Sequence, residues 1–165
     1  MKVMGTGSRS MVTDPNAKNI YNTLERYITI LHEEDPDLVL ITGMAEGWDE
    51  AIAKVAFRNH FPYICAIPNK GYGEYYWGKH SLLGVNRMNT FNQLVNGAAE
   101  VVYVCAGIYE NGVHANFVRN QWMVDNCDSA LVYNPQSSGT RDAVARLTTA
   151  GKPYEVFPFT KQLSF

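Results

Sequence analysis

Residues 38–56, LVLITGMAEGWDEAIAKVA, decide how this chain folds. Leu38, Val39, Leu40 and Ile41 form a short apolar run rich in branched side chains, which suits a strand buried on both faces of a parallel sheet. Gly43 and Gly47 then bracket a tight turn. Ala51, Ile52, Val55 and Ala56 recur at helical spacing, so a helix is expected to leave the turn at Trp48 and to reach Asn59. Strand, glycine turn and helix make half of a βαβ unit. In such sheets ligands bind beyond the carboxyl ends of the strands, where residues 42–50 fall. One such turn alone is equally a structural feature with no ligand, since βα loops are common. Two further turns of this kind shift the reading toward a site.

Ahead of this unit, residues 2–4 begin a strand that runs into Gly5-Thr6-Gly7-Ser8-Arg9-Ser10. The guanidinium fork of Arg9 suits a phosphate, and a solvent-facing arginine is the plainer alternative. Ser10 stands where a dinucleotide-binding GxGxxG needs its last glycine, so this is not that fingerprint. Asp14-Pro15 opens a helix with Ile20, Leu24, Tyr27, Ile28 and Leu31 on one apolar face, and Asp35-Pro36-Asp37 ends it. Residues 63–67, between Pro62 and Pro68, read as a third strand. Residues 69–80, NKGYGEYYWGKH, read as an irregular loop whose Tyr72, Tyr76 and Trp77 either stack on a base or bury a subunit interface. Residues 82–97 read as a helix, 100–105 as a fourth strand, 106–112 as a second glycine-bearing loop and 114–126 as a helix carrying Arg119. Residues 131–133, opened by Ser129 and Ala130, supply a fifth strand that leads to Ser137-Ser138-Gly139-Thr140. The helix capped there buries Val144 and Leu147, and its free N–H groups and positive dipole end offer an anion site. Gly151-Lys152-Pro153 stops it, and residues 154–159 form a sixth strand.

Strands alternating with helices predict a single α/β domain over residues 1–165, a three-layer sandwich around a mostly parallel sheet of about six strands. The three glycine-bearing turns all follow strands, so they gather along one edge of the sheet. That convergence is the argument for a binding site. The chain is long enough for a real core, and 46% apolar with 18% charged residues is an ordinary globular balance. A net charge of −2 gives no sequence-wide attraction for nucleic acid or an anionic membrane. No apolar run approaches the ~18 residues of a membrane span. Cys65, Cys105 and Cys127 lack CxxC spacing and read as reduced cysteines of a cytoplasmic protein. His32, His60, His80 and His114 are scattered, so neither a metal site nor a cofactor is expected.

Several of these segments carry a family resemblance. Gly7-Ser8-Arg9-Ser10 follows the first strand, and TGMAEGWD occupies residues 42–49. NQWMVDNCD at residues 120–128 precedes a strand and then Ser138-Gly139-Thr140, and Gly151-Lys152-Pro153 precedes the last strand. In this order they resemble the SLOG superfamily, a Rossmann-like group that holds YpsA-type proteins, the DNA-processing protein DprA and the Lonely-Guy phosphoribohydrolases. The resemblance spans most of the chain. It implies a pocket for a nucleotide or a nucleotide-derived ligand, such as ADP-ribose or a cyclic-nucleotide-like signal, with phosphate on the glycine turns. The residues expected to hold that ligand are Gly7, Ser8, Arg9, Thr42, Gly43, Glu46, Gly47, Asp49, Arg119, Ser138, Gly139 and Thr140.

The Lonely-Guy motifs themselves are incomplete. Arg119 and Met123 match R-K-x-x-M, but Asn120 replaces its lysine. Pro135, Gly139 and Thr140 match PGGxGTxxE, while Gln136 and Ser137 replace two glycines and Ala143 stands at the catalytic glutamate. Cleaving an N-glycosidic bond needs a placed carboxylate. Asp142 is one residue early, a rotation of about 100° on a helix. Glu46 and Asp49 are the other candidates, and they equally suit ribose hydroxyls. The expectation is a small-molecule binder, a sensor or sequestering protein that forms a homo-oligomer. One alternative is a hydrolase of a nucleotide N-glycosidic or phosphate bond, with Asp49, Glu46 or Asp142 as acid or base and Arg119 on phosphate. The other is single-strand DNA binding as in DprA, which the acidic balance disfavours.

Overall fold

The computed structural model describes residues 1–110 and 113–159. Six strands alternate with five helices: β1 (Lys2–Gly7), α1 (Ala17–Glu34), β2 (Val39–Thr42), α2 (Trp48–Asn59), β3 (Tyr63–Ile67), α3 (Met88–Gly97), β4 (Glu100–Tyr103), α4 (Val113–Asn126), β5 (Ser129–Tyr133), α5 (Ser138–Thr149) and β6 (Tyr154–Val156). The strands form one sheet in the order β4-β3-β2-β1-β5-β6, and every pairing is parallel. The expected α/β sandwich is therefore present, with a sheet that is parallel throughout.

Period-two alternation along the strands divides the core. Val3, Leu40, Tyr63, Cys65 and Leu131 join the cluster that holds α1, α2 and α3. Their neighbours Met4, Ile41, Ile64, Ala130 and Val132 join the cluster that holds α4 and α5. Both faces of the central strands are thus buried, which is why those strands read as continuous apolar runs. The chain winds outward from β1 to β4, then crosses back through α4 to place β5 on the other side of β1. The crevice where the winding direction changes opens between the carboxyl ends of β1 and β5. Among the described residues, no helix is long and apolar enough to cross a membrane.

Five local expectations change, two of them strand ends: β4 stops at Tyr103 and not at residue 105, and β6 at Val156 and not at residue 159. Residues 82–97 were expected to be helical throughout, but α3 begins only at Met88. Gly84 adopts φ +71°, and Asn86 Oδ1 accepts from the Met88 N–H at 2.9 Å, which starts the helix late. Leu82, Leu83 and Val85 are correspondingly exposed. Within residues 69–80, expected to be irregular, Glu74–Lys79 wind into a π-helical turn. The first helix starts at Ala17 and not at Pro15, because a 3-10 turn over Arg9–Thr13 comes first and Asp14 closes it. In the second glycine-bearing loop, residues 111–112 lie outside the described residues.

Candidate functional site

A cavity of about 360 Å³ occupies the β1/β5 crevice. Its floor and near wall come from Thr6 to Arg9 at the end of β1 and from Ser137 to Thr140 at the start of α5. Ala45 reaches it from the turn after β2, Asp49 from the first turn of α2, and Tyr72 and Tyr76 from the segment after β3. The far wall is α4: Asn116, Arg119, Asn120 and Met123 fall at i, i+3, i+4 and i+7, one stripe of the helix.

One end of the cavity lies at the start of α5. Its first hydrogen bond with the preceding turn runs from Arg141 N–H to the Ser137 carbonyl, so the N–H groups of Ser138, Gly139 and Thr140 lack helical acceptors. A Cβ built on Gly139 would meet nothing within 4 Å, so open space lies directly before this helix end. Ser137 Oγ bonds Thr140 Oγ1 at 2.9 Å and the Asn134 carbonyl at 3.3 Å, which leaves those N–H groups uncapped by side chains.

Arg119 is almost fully buried. Its Nη1 donates to the carbonyls of Gly43 and Ala66, and its Nε to Asn120 Oδ1 at 3.3 Å. Gly43 is needed here for close approach, since a Cβ would sit 2.5 Å from that Nη1 and 2.9 Å from Asp49 Oδ2. Asn120 in turn donates to the Gly139 carbonyl at 3.2 Å and to Asp142 Oδ2 at 3.1 Å. It therefore links the arginine to the start of α5.

Asp49 is the carboxylate of the cavity wall. Its Oδ2 accepts from the Ala45 N–H at 3.3 Å, while Oδ1 is buried with no hydrogen-bond partner among the described residues. Burial pushes its carboxyl up from 3.8 to about 6, against the opposing pull of Arg119 and the Ala45 N–H.

The other two acids named from the sequence are occupied. Glu46 lies outside the cavity wall and is fully buried, where it accepts from Arg87 at 2.7 Å, Ser81 Oγ at 2.7 Å, the Leu82 N–H at 3.0 Å and Arg9 at 3.4 Å. Burial alone would push its carboxyl up, but Ser81, Arg87 and the Leu82 N–H together hold it below the ordinary value. Asp142 Oδ2 accepts from Arg146 as well as Asn120, which ties it to its own helix.

The remaining candidates divide in the same way. Arg9 lines the cavity with its guanidinium 4.5 Å over the Tyr76 ring, donates to the His80 carbonyl at 3.2 Å, and keeps a buried Nε without a partner among the described residues. Gly7 and Ser8 line the cavity too, and Ser8 Oγ accepts from the Ser10 N–H to start the 3-10 turn. Thr42, Gly43 and Gly47 support the wall from behind. Thr42 Oγ1 bonds the Asp49 carbonyl at 2.8 Å, and Gly47 takes φ +87° against the carbonyls of Ser8 and Arg9. Tyr72 and Tyr76 face the cavity, but Trp77 does not: its indole is fully buried, bonds the Met44 carbonyl at 2.9 Å and has Arg87 over its ring. Sequence reasoning did not single out Asn116, Phe117 or Arg87. The α4 stripe pointed to Asn116, three residues before Arg119, whereas no local pattern announces the long-range pairing of Arg87 with Glu46 and Glu50. Among the described residues, no three His, Cys, Asp or Glu side chains come together to hold a metal.

The molecule is thus a doubly wound parallel α/β protein with a cavity at its switch point. Neither a protein-family model nor a curated protein sequence matches the chain. Solved structures do resemble it. DNA processing protein A (DprA) from Streptococcus pneumoniae superimposes with a TM-score of 0.70 at 22% identity, over 94% of this chain and 49% of that one. DprA from Helicobacter pylori, solved for its single-stranded DNA binding mode, gives 0.66 at 18% identity, over 94% and 64%. A structural-genomics target named TM1055 gives 0.58 at 13% identity, over 93% and 71%. This chain therefore spans about half to two thirds of the two DprA chains. The likeness is one of fold.

Proposed function

We propose that the β1/β5 cavity binds a nucleotide or nucleotide-derived small molecule and that binding, as sensing or sequestration, is the protein's task. The observation that carries this reading is the meeting, in one cavity of about 360 Å³, of an uncapped helix start with Arg119, Arg9 and an unpaired acidic oxygen. The free N–H groups of Ser138, Gly139 and Thr140 receive the phosphate. Asp49, in the cavity wall, supplies the acidic group beside the ribose. Tyr72 and Tyr76, two of the three stacking candidates, line the end that takes the base, while Trp77 lies in the core. Such a division matches small-molecule sites, with a few placed polar groups in a concave wall.

A second reading is hydrolysis of a nucleotide bond. Of the three acids expected to act as acid or base, Asp49 alone lines the cavity, and one of its oxygens has no hydrogen-bond partner among the described residues. Its carboxyl, raised to about 6, is suited to proton transfer near neutral pH. Single-strand DNA binding is a third, supported by the structural likeness to DprA, and that likeness weakens the expectation of no nucleic-acid partner.

Native mass spectrometry of the purified protein, followed by heat release and chromatography, separates these readings. Intact nucleotide recovered on denaturation supports binding. Multiple turnovers of added nucleotide to free base or phosphate, lost in Asp49→Asn, establish the enzyme instead. Binding of a single-stranded oligonucleotide with no competition from mononucleotides would replace both.

A further inference from the structure

Two groups of opposite charge stand side by side in the cavity wall without pairing. A Cβ on Gly43 would sit 2.5 Å from Arg119 Nη1 and 2.9 Å from Asp49 Oδ2, so the two side chains meet across that bare Cα. Yet Arg119 Nη1 donates to the carbonyls of Gly43 and Ala66 and its Nε to Asn120 Oδ1, and none of these bonds goes to Asp49. The carboxylate accepts one hydrogen bond, from the Ala45 N–H, and its Oδ1 is buried with no donor among the described residues. A buried carboxylate held so sparsely depends on the charge beside it.

That charge is Arg119. Tyr72, from the segment after β3, lies near both groups, and burial pushes its hydroxyl up to about 12, so it keeps its proton. Arg9 lines the cavity from the end of β1 and donates to Glu46 and the His80 carbonyl. Glu46 and Glu50, the acids nearest to Asp49 in sequence, are turned to Arg87. An anion in the cavity draws on the same guanidinium that supports Asp49. A cavity of about 360 Å³ is less than about 10 Å across if compact, and a negative charge at that distance lifts the titration midpoint of a carboxyl by about one pH unit at an effective dielectric of about 20.

We infer that Asp49 takes up a proton from solvent when an anionic ligand binds beside Arg119, so that the cavity holds its ligand more tightly as pH falls. The inference rests on the reading of this cavity as a site for a phosphate-bearing ligand, and it adds the regulation of that site. In a sensor, occupancy then answers to acidity as well as to ligand. In a hydrolase, binding itself loads the acid with the proton that the leaving group needs.

ADP-ribose is a suitable probe, because its diphosphate keeps the same charge from pH 6 to pH 8. Calorimetric titration of the full chain should show its affinity falling at least about fivefold across that range. At pH 7, buffers of differing ionisation enthalpy should count roughly half a proton taken up per ligand bound, since a carboxyl at about 6 is mostly ionised beforehand. An infrared difference spectrum should gain a carboxylic-acid carbonyl band on ligand addition, which a histidine cannot supply. Asp49→Asn should hold its affinity within about twofold over the same range and take up no proton. If AMP binds and ADP-ribose does not, the unmodified protein is compared with the variant using AMP, whose own titration cancels in the difference. A pH-independent affinity or no proton uptake in the unmodified protein overturns the inference and leaves the binding reading standing. A pH dependence or an acid band that survives in Asp49→Asn places the proton elsewhere and also overturns it. Failure of both ADP-ribose and AMP to bind at any of these pH values overturns the nucleotide reading and the inference with it.

Discussion

Replacing Asp49 by asparagine should stabilise the protein at neutral pH. The carboxyl is buried, and burial raises its pKa from 3.8 to about 6 despite Arg119 and the Ala45 N–H. Below pH 3.8 the group is protonated in both the folded and the unfolded chain, so it costs nothing. As pH rises past 3.8 the unfolded chain ionises first, and folding becomes progressively less favourable until the folded group also ionises near pH 6. The gap between 3.8 and about 6, at about 1.4 kcal/mol per pH unit, makes the full penalty about 3 kcal/mol. An asparagine keeps the shape and an acceptor for the Ala45 N–H without the charge. The variant should therefore match the unmodified protein near pH 4 and exceed it by up to about 3 kcal/mol at pH 7. Urea unfolding from pH 4 to 8 measures the difference, and subtraction cancels the titration of Glu46 and Glu50. A stability difference that stays constant across this range would refute the reasoning, because it would place no ionisation of Asp49 within it.

Three further perturbations probe the rest of the site. Arg9→Ala should weaken nucleotide binding by about 1.5–3 kcal/mol, the range of a charge-assisted contact, and calorimetry showing unchanged affinity would remove Arg9 from the ligand. Gly139→Val should lower affinity at least about tenfold through the open space before α5, with little change in melting temperature, since the added Cβ meets no protein atom within 4 Å; an equal loss of stability and affinity would make Gly139 structural. Glu46→Ala should destabilise by about 3–5 kcal/mol, because it leaves the mostly buried Arg87 with one fewer counter-charge. An unfolding free energy within about 0.5 kcal/mol of the unmodified protein would show that the Glu46 network holds nothing in place.

The sheet was legible because its strands are short apolar runs followed by glycine or Ser-Gly turns, and the winding order needs little more than that. The convergence at one edge follows from the same pattern, and Asp49, Arg119 and Ser138-Gly139-Thr140 do line one cavity or its wall. What the sequence could not distinguish was facing the core from facing the cavity. Glu46 and Asp49 sit in one turn, three residues apart, yet one accepts four hydrogen bonds from distant residues and the other keeps a free oxygen. Those distant donors are set by tertiary packing alone. Trp77 was misplaced for a related reason: a π-helical turn aims side chains differently from a loop, and this one sends the indole into the core. Residues 82–85 were read as the start of the helix that follows, but nothing in composition says that their apolar side chains will find no partner.

The arrangement of Arg119 has a kinetic consequence. Its guanidinium donates to the carbonyl ends of both β2 and β3, and its neighbour Asn120 reaches the start of α5. Helix α4 is thereby anchored across the mouth of the sheet before any ligand arrives, and little side-chain freedom remains to be lost on binding. A preorganised mouth admits its ligand without a prior closing step. Stopped-flow association should accordingly be single-phase, with an observed rate that rises linearly with ligand concentration.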